Sequence, residues 1–355
     1  GGIFAALLLF GSQLHLHYSR MALTNVWDGL LMLAALGLGG LAWRHNQRTL
    51  WLLAGLALGL NAYLFTAVRL LPIILLPLGL LVFFTRREQL GKRWRGLATA
   101  VLLALLVALP QLLFYNSNSE IFWLRLYILG IFDRVWMTRE AELCGQSTPA
   151  SLTTQLWHGV RALNAGLDHS PAYGAQVPLL TTGPAILLIL GVITAVFQRR
   201  HLRNLTLLIW LLVTTLFAAA LLENPPQSHR LVSVAPALAL LGAVGLATIG
   251  KRFTLLGNQQ NQDEPNTEYR TPDTGGRSAL RPYGTLILLA IPLIFAANDL
   301  VYYFGPYRVE HRFADRNTEI ADAVADYLNT LEPEEWTVYF YGAPAMFVDF
   351  PTIPL

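Results

Sequence analysis

The chain has few charged residues and one cysteine. Charged side chains make up 13% of its 355 residues, about half of the ~25% usual in soluble globular proteins. An intrinsically disordered protein is excluded, because disorder requires high charge and few apolar residues. Cys144 cannot form a disulfide framework by itself, and the 28 glycines have no three-residue period, so small disulfide-stabilised folds and collagen are excluded as well.

Apolar residues dominate instead, at 54% with a mean hydropathy of +0.46. They fall into segments of membrane-spanning character, and they predict an all-α polytopic membrane protein. Between the third and fourth segments, Arg69 and Pro72 predict a break, because the residue before a proline leaves the helical conformation. The predicted segments are residues 2–14, 27–43, 50–66, 70–85, 97–115, 183–198, 204–222, 231–249 and 283–304.

Basic residues are concentrated in every second connection between these segments. By the positive-inside rule, those connections are predicted to be cytoplasmic. They contain Arg44, Arg48, Arg86, Arg87, Lys92, Arg93, Arg95, Arg199, Arg200, Arg203, Lys251, Arg252, Arg270, Arg277 and Arg281. The short turns of the opposite, outer side hold one arginine each: Arg20, Arg69 and Arg230.

This topology predicts two domains. The first, residues 1–304, is the transmembrane domain, with an outer loop at 116–182 and a cytoplasmic linker at 250–282, of which 257–281 has the composition of a disordered segment. In the outer loop, residues 120–136 predict an amphipathic helix at the membrane interface. The second, residues 305–355, has a helix pattern followed by a strand pattern at 336–342, which predicts the start of a small extracytoplasmic α/β domain.

The three outer arginines are the first candidate binding residues. Arg20, Arg69 and Arg230 lie in tight turns where topology does not require positive charge. Guanidinium groups bind phosphate oxygens in bidentate fashion and stay charged when partly desolvated. The three together favour a shared anionic ligand, whereas any one of them alone is equally consistent with an interfacial anchor on lipid phosphate.

Acidic residues on the same side are candidates for acid–base chemistry. Asp28, close to Asn25, is a candidate catalytic acid, although an acid in a first helical turn also stabilises the helix by ~0.3–1 kcal/mol. Glu223 is a supporting candidate, and it could equally form an ion pair with Arg230. Asp168 in the outer loop and Asp299 near the end of the last segment complete the set.

Histidines give no clear metal site. His15 and His17 lie two residues apart, so they point in different directions on a helix, and no Cys, His or Asp spacing of a known metal site accompanies them. His17 and His229 are therefore retained as supporting candidates beside the arginines. The chain has no P-loop and no Gly-rich dinucleotide motif. We expect no certain cofactor and no nucleic-acid partner, and a divalent metal requirement stays open.

Four spaced segments resemble one family. They are similar to segments of bacterial multi-pass C-type glycosyltransferases, in the superfamily of dolichyl-phosphate-mannose–protein mannosyltransferases and lipid A aminoarabinose transferases. The segments are residues 11–25 (GSQLHLHYSRMALTN), 54–72 (AGLALGLNAYLFTAVRLLP), 174–180 (GAQVPLL) with Asp168 upstream, and 223–236 (ENPPQSHRLVSVAP). No single segment is specific to this family. The ordered set of four, along residues 10–342, is specific to it.

The resemblance implies a helical bundle in the bacterial plasma membrane that uses a polyprenyl-phosphate-linked sugar at its outer face. The acceptor would be a protein or a glycolipid, and the single displacement would invert the anomeric carbon. Family members carry the main catalytic acid in the first outer loop, which would precede Gly1 here, so Asp28 would act as a secondary acid. Arg20, Arg69 and Arg230 would hold the donor phosphate.

Two other classes compete with this interpretation. A lipid-linked-glycan polymerase or ligase would also bind phosphate through arginines, but it would need paired catalytic Arg or His residues in a large outer loop. A secondary transporter would show internal repeats and charges near the middle of the bilayer. The chain shows no internal repeat, and its charges lie near the ends of the segments.

Overall fold

The structure is a computed structural model of a helical protein. It describes residues 1–21, 25–64, 67–123, 130–131, 138, 142, 145, 147–168, 170, 173–175, 177–222, 227–260, 280–310 and 316–331. Within these ranges the only β-structure is an isolated bridge between Gly130 and Leu222. The described part of the chain is therefore all-α.

Fourteen helices are numbered here in chain order. They are α1 (Gly2–Gly11), α2 (Gln13–Arg20), α3 (Asn25–His45), α4 (Arg48–Leu60), α5 (Ala67–Thr85), α6 (Arg87–Ser117), α7 (Thr148–Arg161), α8 (Thr182–Phe197), α9 (Leu202–Thr215), α10 (Ser228–Leu231), α11 (Ala235–Gln260), α12 (Leu280–Tyr302), α13 (Arg308–Glu310) and α14 (Arg316–Leu328). Helices α9 and α12 each continue into one wider π-helical turn, at Leu216–Ala220 and Tyr303–Tyr307.

Five helical stretches in the described residues are long and apolar enough to cross a membrane, so the chain is a polytopic membrane protein. They are Asn25–His45, Arg87–Ser117, Leu202–Ala220, Ser228–Arg252 and Leu286–Glu310. The other four predicted segments also form helices, but shorter ones. The first is interrupted at Ser12, whose backbone is extended, and this divides it into α1 and α2.

The break between the third and fourth segments lies earlier than predicted. Helix α4 ends at Leu60 and a 3₁₀ turn follows at Asn61–Tyr63. Helix α5 already begins at Ala67, so Arg69 and Pro72 lie inside it. Pro72 is the sixth residue of α5, so its missing N–H leaves the Val68 carbonyl without the usual helical donor, yet the helix continues through it. The prediction of a break was right, and its position at Arg69–Pro72 was wrong.

Helix α11 is the centre of the bundle. In the apolar 18-residue window of its span, Ser228–Arg252, 72% of the residues are buried, against 17–33% in the corresponding windows of the other four spans. It packs on α8 through glycines, because a Cβ added at Gly191 would overlap the Leu241 carbonyl and one added at Gly245 would overlap the Leu187 carbonyl. Close backbone approach at small residues is the usual packing of helices in membranes.

Three of the four basic connections meet at one end of the bundle, which is called the basic end below. The Arg93 guanidinium lies 5.3 Å from the Trp43 ring, and Arg86 donates a hydrogen bond to the Arg200 carbonyl (3.2 Å). The α3–α4, α5–α6 and α8–α9 connections are thereby close together. The outer arginines lie at the other end, called the polar end, where Arg20 ends α2, Arg69 lies in the first turn of α5 and Arg230 lies in α10. Which end faces the cytoplasm stays a prediction.

Several predictions fall wholly or partly outside the described residues. Residues 124–129 and 132–136 of the proposed interfacial helix, and the strand pattern at 336–342, lie outside them. The helix pattern of the tail is observed as α14, but an α/β domain is not shown. Of the predicted disordered linker 257–281, residues 257–260 belong to α11 and residues 280–281 to α12, and the remainder lies outside the described residues.

Candidate functional site

At the polar end, several segments of the chain are hydrogen-bonded to the carboxylate of Asp168. Asp168 with its partners Ser170, Gly174 and Ser228 is called the hub below. The Asp168 Oδ1 accepts hydrogen bonds from the backbone N–H groups of Ser228 (2.8 Å) and Ser170 (3.1 Å). Its Oδ2 accepts from the Ser228 hydroxyl (2.5 Å) and from the Gly174 N–H (3.1 Å). A carboxylate has about four acceptor positions, so all of them are occupied. Asp168 therefore fastens the outer loop to the start of α10.

The electrostatics of Asp168 follow from this enclosure. The side chain is 7% exposed. Burial raises the pKa of its carboxyl above the ordinary value, and the hydrogen bonds from Ser228, Ser170 and Gly174 oppose the rise. With no acceptor position left over, Asp168 is suited to positioning the surrounding chain rather than to removing a proton from a substrate.

Tyr18 connects helix α2 to the same hub. Its hydroxyl lies 2.6 Å from the Ser228 Oγ and 3.3 Å from the Ser170 Oγ. The single hydroxyl proton of Ser228 is donated to Asp168, so the Tyr18 hydroxyl donates to Ser228. Tyr18 and Ser228 are both fully buried. A chain of hydrogen bonds thus runs from α2 through α10 to the outer loop.

His229 and Asn25 extend this network to helix α3. The Nδ1 atom of His229 lies 3.1 Å from the Ser170 Oγ, and the Asn25 amide donates to the His229 carbonyl (2.9 Å). Arg230 follows in the same helical turn and is 9% exposed. The start of α3 is thereby held next to the candidate phosphate ligand Arg230.

His17 belongs to an aromatic cluster beside the hub. Its ring lies 4.4 Å from the Tyr173 ring, and its Nδ1 lies 3.2 Å from the Tyr303 hydroxyl. Tyr303 stacks on Tyr307 (5.3 Å), and the Tyr307 hydroxyl donates to the Tyr173 carbonyl (2.9 Å). These contacts connect α2, the outer loop and the π-helical end of α12.

Arg20 is the most accessible of the three predicted phosphate ligands. It is the last residue of α2, and its side chain is exposed. The guanidinium carbon lies 5.7 Å from the Tyr303 ring and 5.3 Å from the Phe304 ring. Aromatic faces next to a cation orient it without neutralising its charge. Arg20 is therefore held at the edge of the aromatic cluster, where an anion can reach it.

Arg69 has a different environment. It donates a hydrogen bond to the Phe122 carbonyl (2.8 Å), and its guanidinium carbon lies 4.9 Å from the Phe122 ring. These contacts attach the beginning of the outer loop to α5. A guanidinium has five N–H donors, and at least one of those of Arg69 holds the outer loop. No described contact joins it to Arg20 or Arg230, and a shared cavity for all three stays a prediction.

The three remaining candidate acids have different environments or lie outside the described residues. Asp28 lies in the first turn of α3 and is fully buried. Its neighbour Gly29 packs on Pro236 and the Val232 carbonyl, so the first turn of α3 lies against the region just after Arg230. Glu223 lies outside the described residues, and its pairing with Arg230 is untested. Asp299, the acid near the end of the last span, accepts a hydrogen bond from Thr181 (3.1 Å).

Sequence reasoning missed the hydroxyl groups that build the hub. Tyr18, Ser170 and Ser228 are ordinary residue types in polar stretches, and nothing in their spacing distinguishes them. Two of them, however, lie within segments that resemble the glycosyltransferases, Tyr18 in 11–25 and Ser228 in 223–236. Their place in these segments is the one sequence signal that could have identified Tyr18 and Ser228 as buried polar partners.

Metal ligands are not assembled in the described ranges. No group of three or more His, Cys, Asp or Glu side chains there is placed to hold a metal ion. Around the fixed Asp168 carboxylate, the polar end offers Arg20 and Arg230, two histidines and a set of phenols. This arrangement is suited to binding an anion next to neutral hydroxyl groups.

Comparison with known proteins does not identify the chain. Its sequence and structure were compared with protein-family profiles, with curated protein sequences and with solved structures, and no match was found in any of the three. The family stated above therefore stays a resemblance carried by the four sequence segments.

Proposed function

We propose that the protein is a membrane glycosyltransferase that uses a polyprenyl-phosphate-linked sugar as donor. The acceptor is a protein or a glycolipid at the outer face of the membrane, and the polar end of the bundle is the reaction site. The protein acts within the bilayer, because its donor is held there by the isoprenoid chain.

One observation carries this proposal: the Asp168 network joins three of the four segments that resemble the glycosyltransferases. Tyr18 belongs to the first of them, Gly174 to the third and Ser228 to the fourth, and hydrogen bonds connect each one to Asp168 directly or through one hydroxyl. These segments are far apart in sequence. Their meeting at one buried carboxylate supports a common function for them.

The two arginines next to this network supply the electrostatics. As the acceptor oxygen attacks the anomeric carbon, the bond from that carbon to the phosphate oxygen breaks, and negative charge develops on the departing polyprenyl phosphate. Arg20 and Arg230, held in segments fixed by Asp168, stabilise that charge in a setting with little water. Arg69 contributes from the start of α5 while it anchors the outer loop.

The proton of the acceptor hydroxyl goes to an acid on the same side. Asp28 is the candidate in this chain, because it lies at the start of α3 next to the segment that contains Arg230. Asp168 is the positioning residue for this site, since its lone pairs are already used. His17 and His229 orient the phenols and hydroxyls around it.

The test is binding of a polyprenyl monophosphate to the full-length protein in nanodiscs. We expect Arg20→Gln and Arg230→Gln each to weaken binding at least about tenfold, because a hydrogen bond to a charged group contributes ~1.5–3 kcal/mol. The matched control is Arg95→Gln, which removes an exposed arginine from α6 at the basic end and is expected to change binding less than twofold.

Equal binding by all four proteins, with normal thermal unfolding, would contradict the proposal. The competing classes differ in their products. A transferase releases polyprenyl phosphate as it glycosylates the acceptor, a polymerase or ligase requires a lipid-linked oligosaccharide, and a transporter moves its substrate without cleaving a glycosidic bond. Release of polyprenyl phosphate from a monosaccharide donor therefore discriminates between them.

A further inference from the structure

A pocket lies at the basic end of the bundle, remote from the candidate site. It lies between the α5–α6 connection and the α8–α9 connection, and its volume is about 550 Å³. Ligand pockets typically measure roughly 300–1,000 Å³. Its size therefore suits a small ligand or the headgroup of a lipid.

Four arginines line this pocket: Arg86, Arg87, Arg199 and Arg200, with Glu88 as the one acid among the lining residues. Arg86 donates to the Arg200 carbonyl, which holds the two connections together. In the described part of the chain, the side chains of Arg87, Arg199 and Arg200 have no hydrogen-bond or ion-pair partner. Four arginines against one acid leave a net positive charge in the pocket, which favours a bound anion.

Two helices begin at the same pocket and add to its positive potential. Helix α6 begins at Arg87 and α9 at Leu202, and among the described residues no side chain caps the first turn of either helix. The free N–H groups and the positive end of the helix dipole favour an anion at such a position. The guanidinium groups and the backbone thus favour the same kind of ligand.

The remaining lining is apolar and belongs to membrane helices. Leu81 and Phe84 come from α5, and Leu202 and Leu205 come from α9. Phe84 is 76% exposed and lies two residues before the first arginine. A soluble anion would gain nothing from this apolar wall, whereas a lipid can place an acyl chain along it and its phosphate on the arginines.

We propose that this pocket binds one anionic phospholipid of the surrounding bilayer. The phosphate is held by Arg87, Arg199 and Arg200, and an acyl chain lies along Phe84 and Leu205. Basic pockets between membrane helices recognise anionic headgroups in this way. The inference does not depend on the proposed glycosyltransferase function.

The test is native mass spectrometry of the full chain in neutral detergent, titrated with phosphatidylglycerol or with phosphatidylcholine. We expect the first phosphatidylglycerol to bind about tenfold more tightly than phosphatidylcholine, the scale expected for several cations beside an anionic headgroup. The double variant Arg87→Gln/Arg200→Gln is expected to lose this preference. Arg44→Gln, at an exposed basic residue outside the pocket, is expected to retain it.

Equal affinity for the two lipids, or the same loss of preference in Arg44→Gln, would overturn the proposal. If the double variant does not fold, the proposal is tested by the salt dependence of phosphatidylglycerol binding to the wild type. Its affinity should fall as NaCl rises from ~50 to ~300 mM. Inorganic phosphate separates the two possible sources of the anion. Displacement of the lipid by ~10 mM inorganic phosphate would identify a site for soluble phosphate and overturn the lipid assignment.

Discussion

At the scale of single residues, the central feature is a carboxylate with no acceptor capacity left. The type and position of Asp168 made it a candidate from sequence, as an acid in an outer loop before a segment resembling the glycosyltransferases. Its role as a fixed junction could not be predicted, because Tyr18 and Ser228 are far away in sequence and only Ser170 is close to it. Only the folded chain brings their hydroxyls within 2.5–3.3 Å of one another or of Asp168.

The variant Asp168→Asn tests this junction. The amide would present N–H groups to the Ser228 or Gly174 N–H, and leaving a buried donor unsatisfied costs ~1–3 kcal/mol. We therefore expect a lower temperature of thermal unfolding in detergent. Asp326→Asn in α14, where the acid is exposed, should unfold at the temperature of the wild type. An unchanged unfolding temperature in Asp168→Asn would show that the hydrogen bonds of Asp168 do not hold the polar end together.

At the scale of helices, the apolar pattern predicted the existence of the elements better than their ends. All nine predicted segments contain a helix, because long apolar runs have no other stable structure in a bilayer. The ends depend on local contacts that composition does not contain. The break before α5 shows this, since the chain leaves the helix at Asn61–Tyr63 and Pro72 remains inside the following helix.

The helix contacts at glycines show the same limit of prediction from sequence. Gly191 and Gly245 looked like any other glycines of an apolar helix, yet they are where α8 and α11 approach backbone to backbone. We expect Gly191→Ala to destabilise the protein by ~1–3 kcal/mol through overpacking, measured by thermal unfolding in detergent. Gly40→Ala is the control, because a Cβ at Gly40 meets open space. Since alanine has the better helix propensity, the free energy of unfolding of this variant should be equal to that of the wild type or up to ~1 kcal/mol higher. Equal stability of the two variants would contradict the close approach.

At the scale of the whole molecule, the two ends of the bundle have different chemistry. The basic end gathers the connections rich in arginine, and the polar end gathers hydroxyls, phenols, histidines and a fixed carboxylate. The sequence predicted that the basic connections alternate with connections of little positive charge, but it did not predict the hydroxyls and phenols of the polar end. The sequence could not predict that Arg20 and Arg230 belong to segments joined through Asp168 while Arg69 holds the outer loop at Phe122, since this follows from tertiary contacts.

The central claim is that the polar end binds the anionic headgroup of a polyprenyl phosphate. The most direct measurement is photocrosslinking of a polyprenyl monophosphate that carries a photoreactive group next to the phosphate, followed by peptide mapping. The account predicts crosslinks to α2 and to the Ser228–Leu231 turn, and competition by unlabelled polyprenyl phosphate. Crosslinks confined to the basic end, around Arg87 and Arg200, would contradict it.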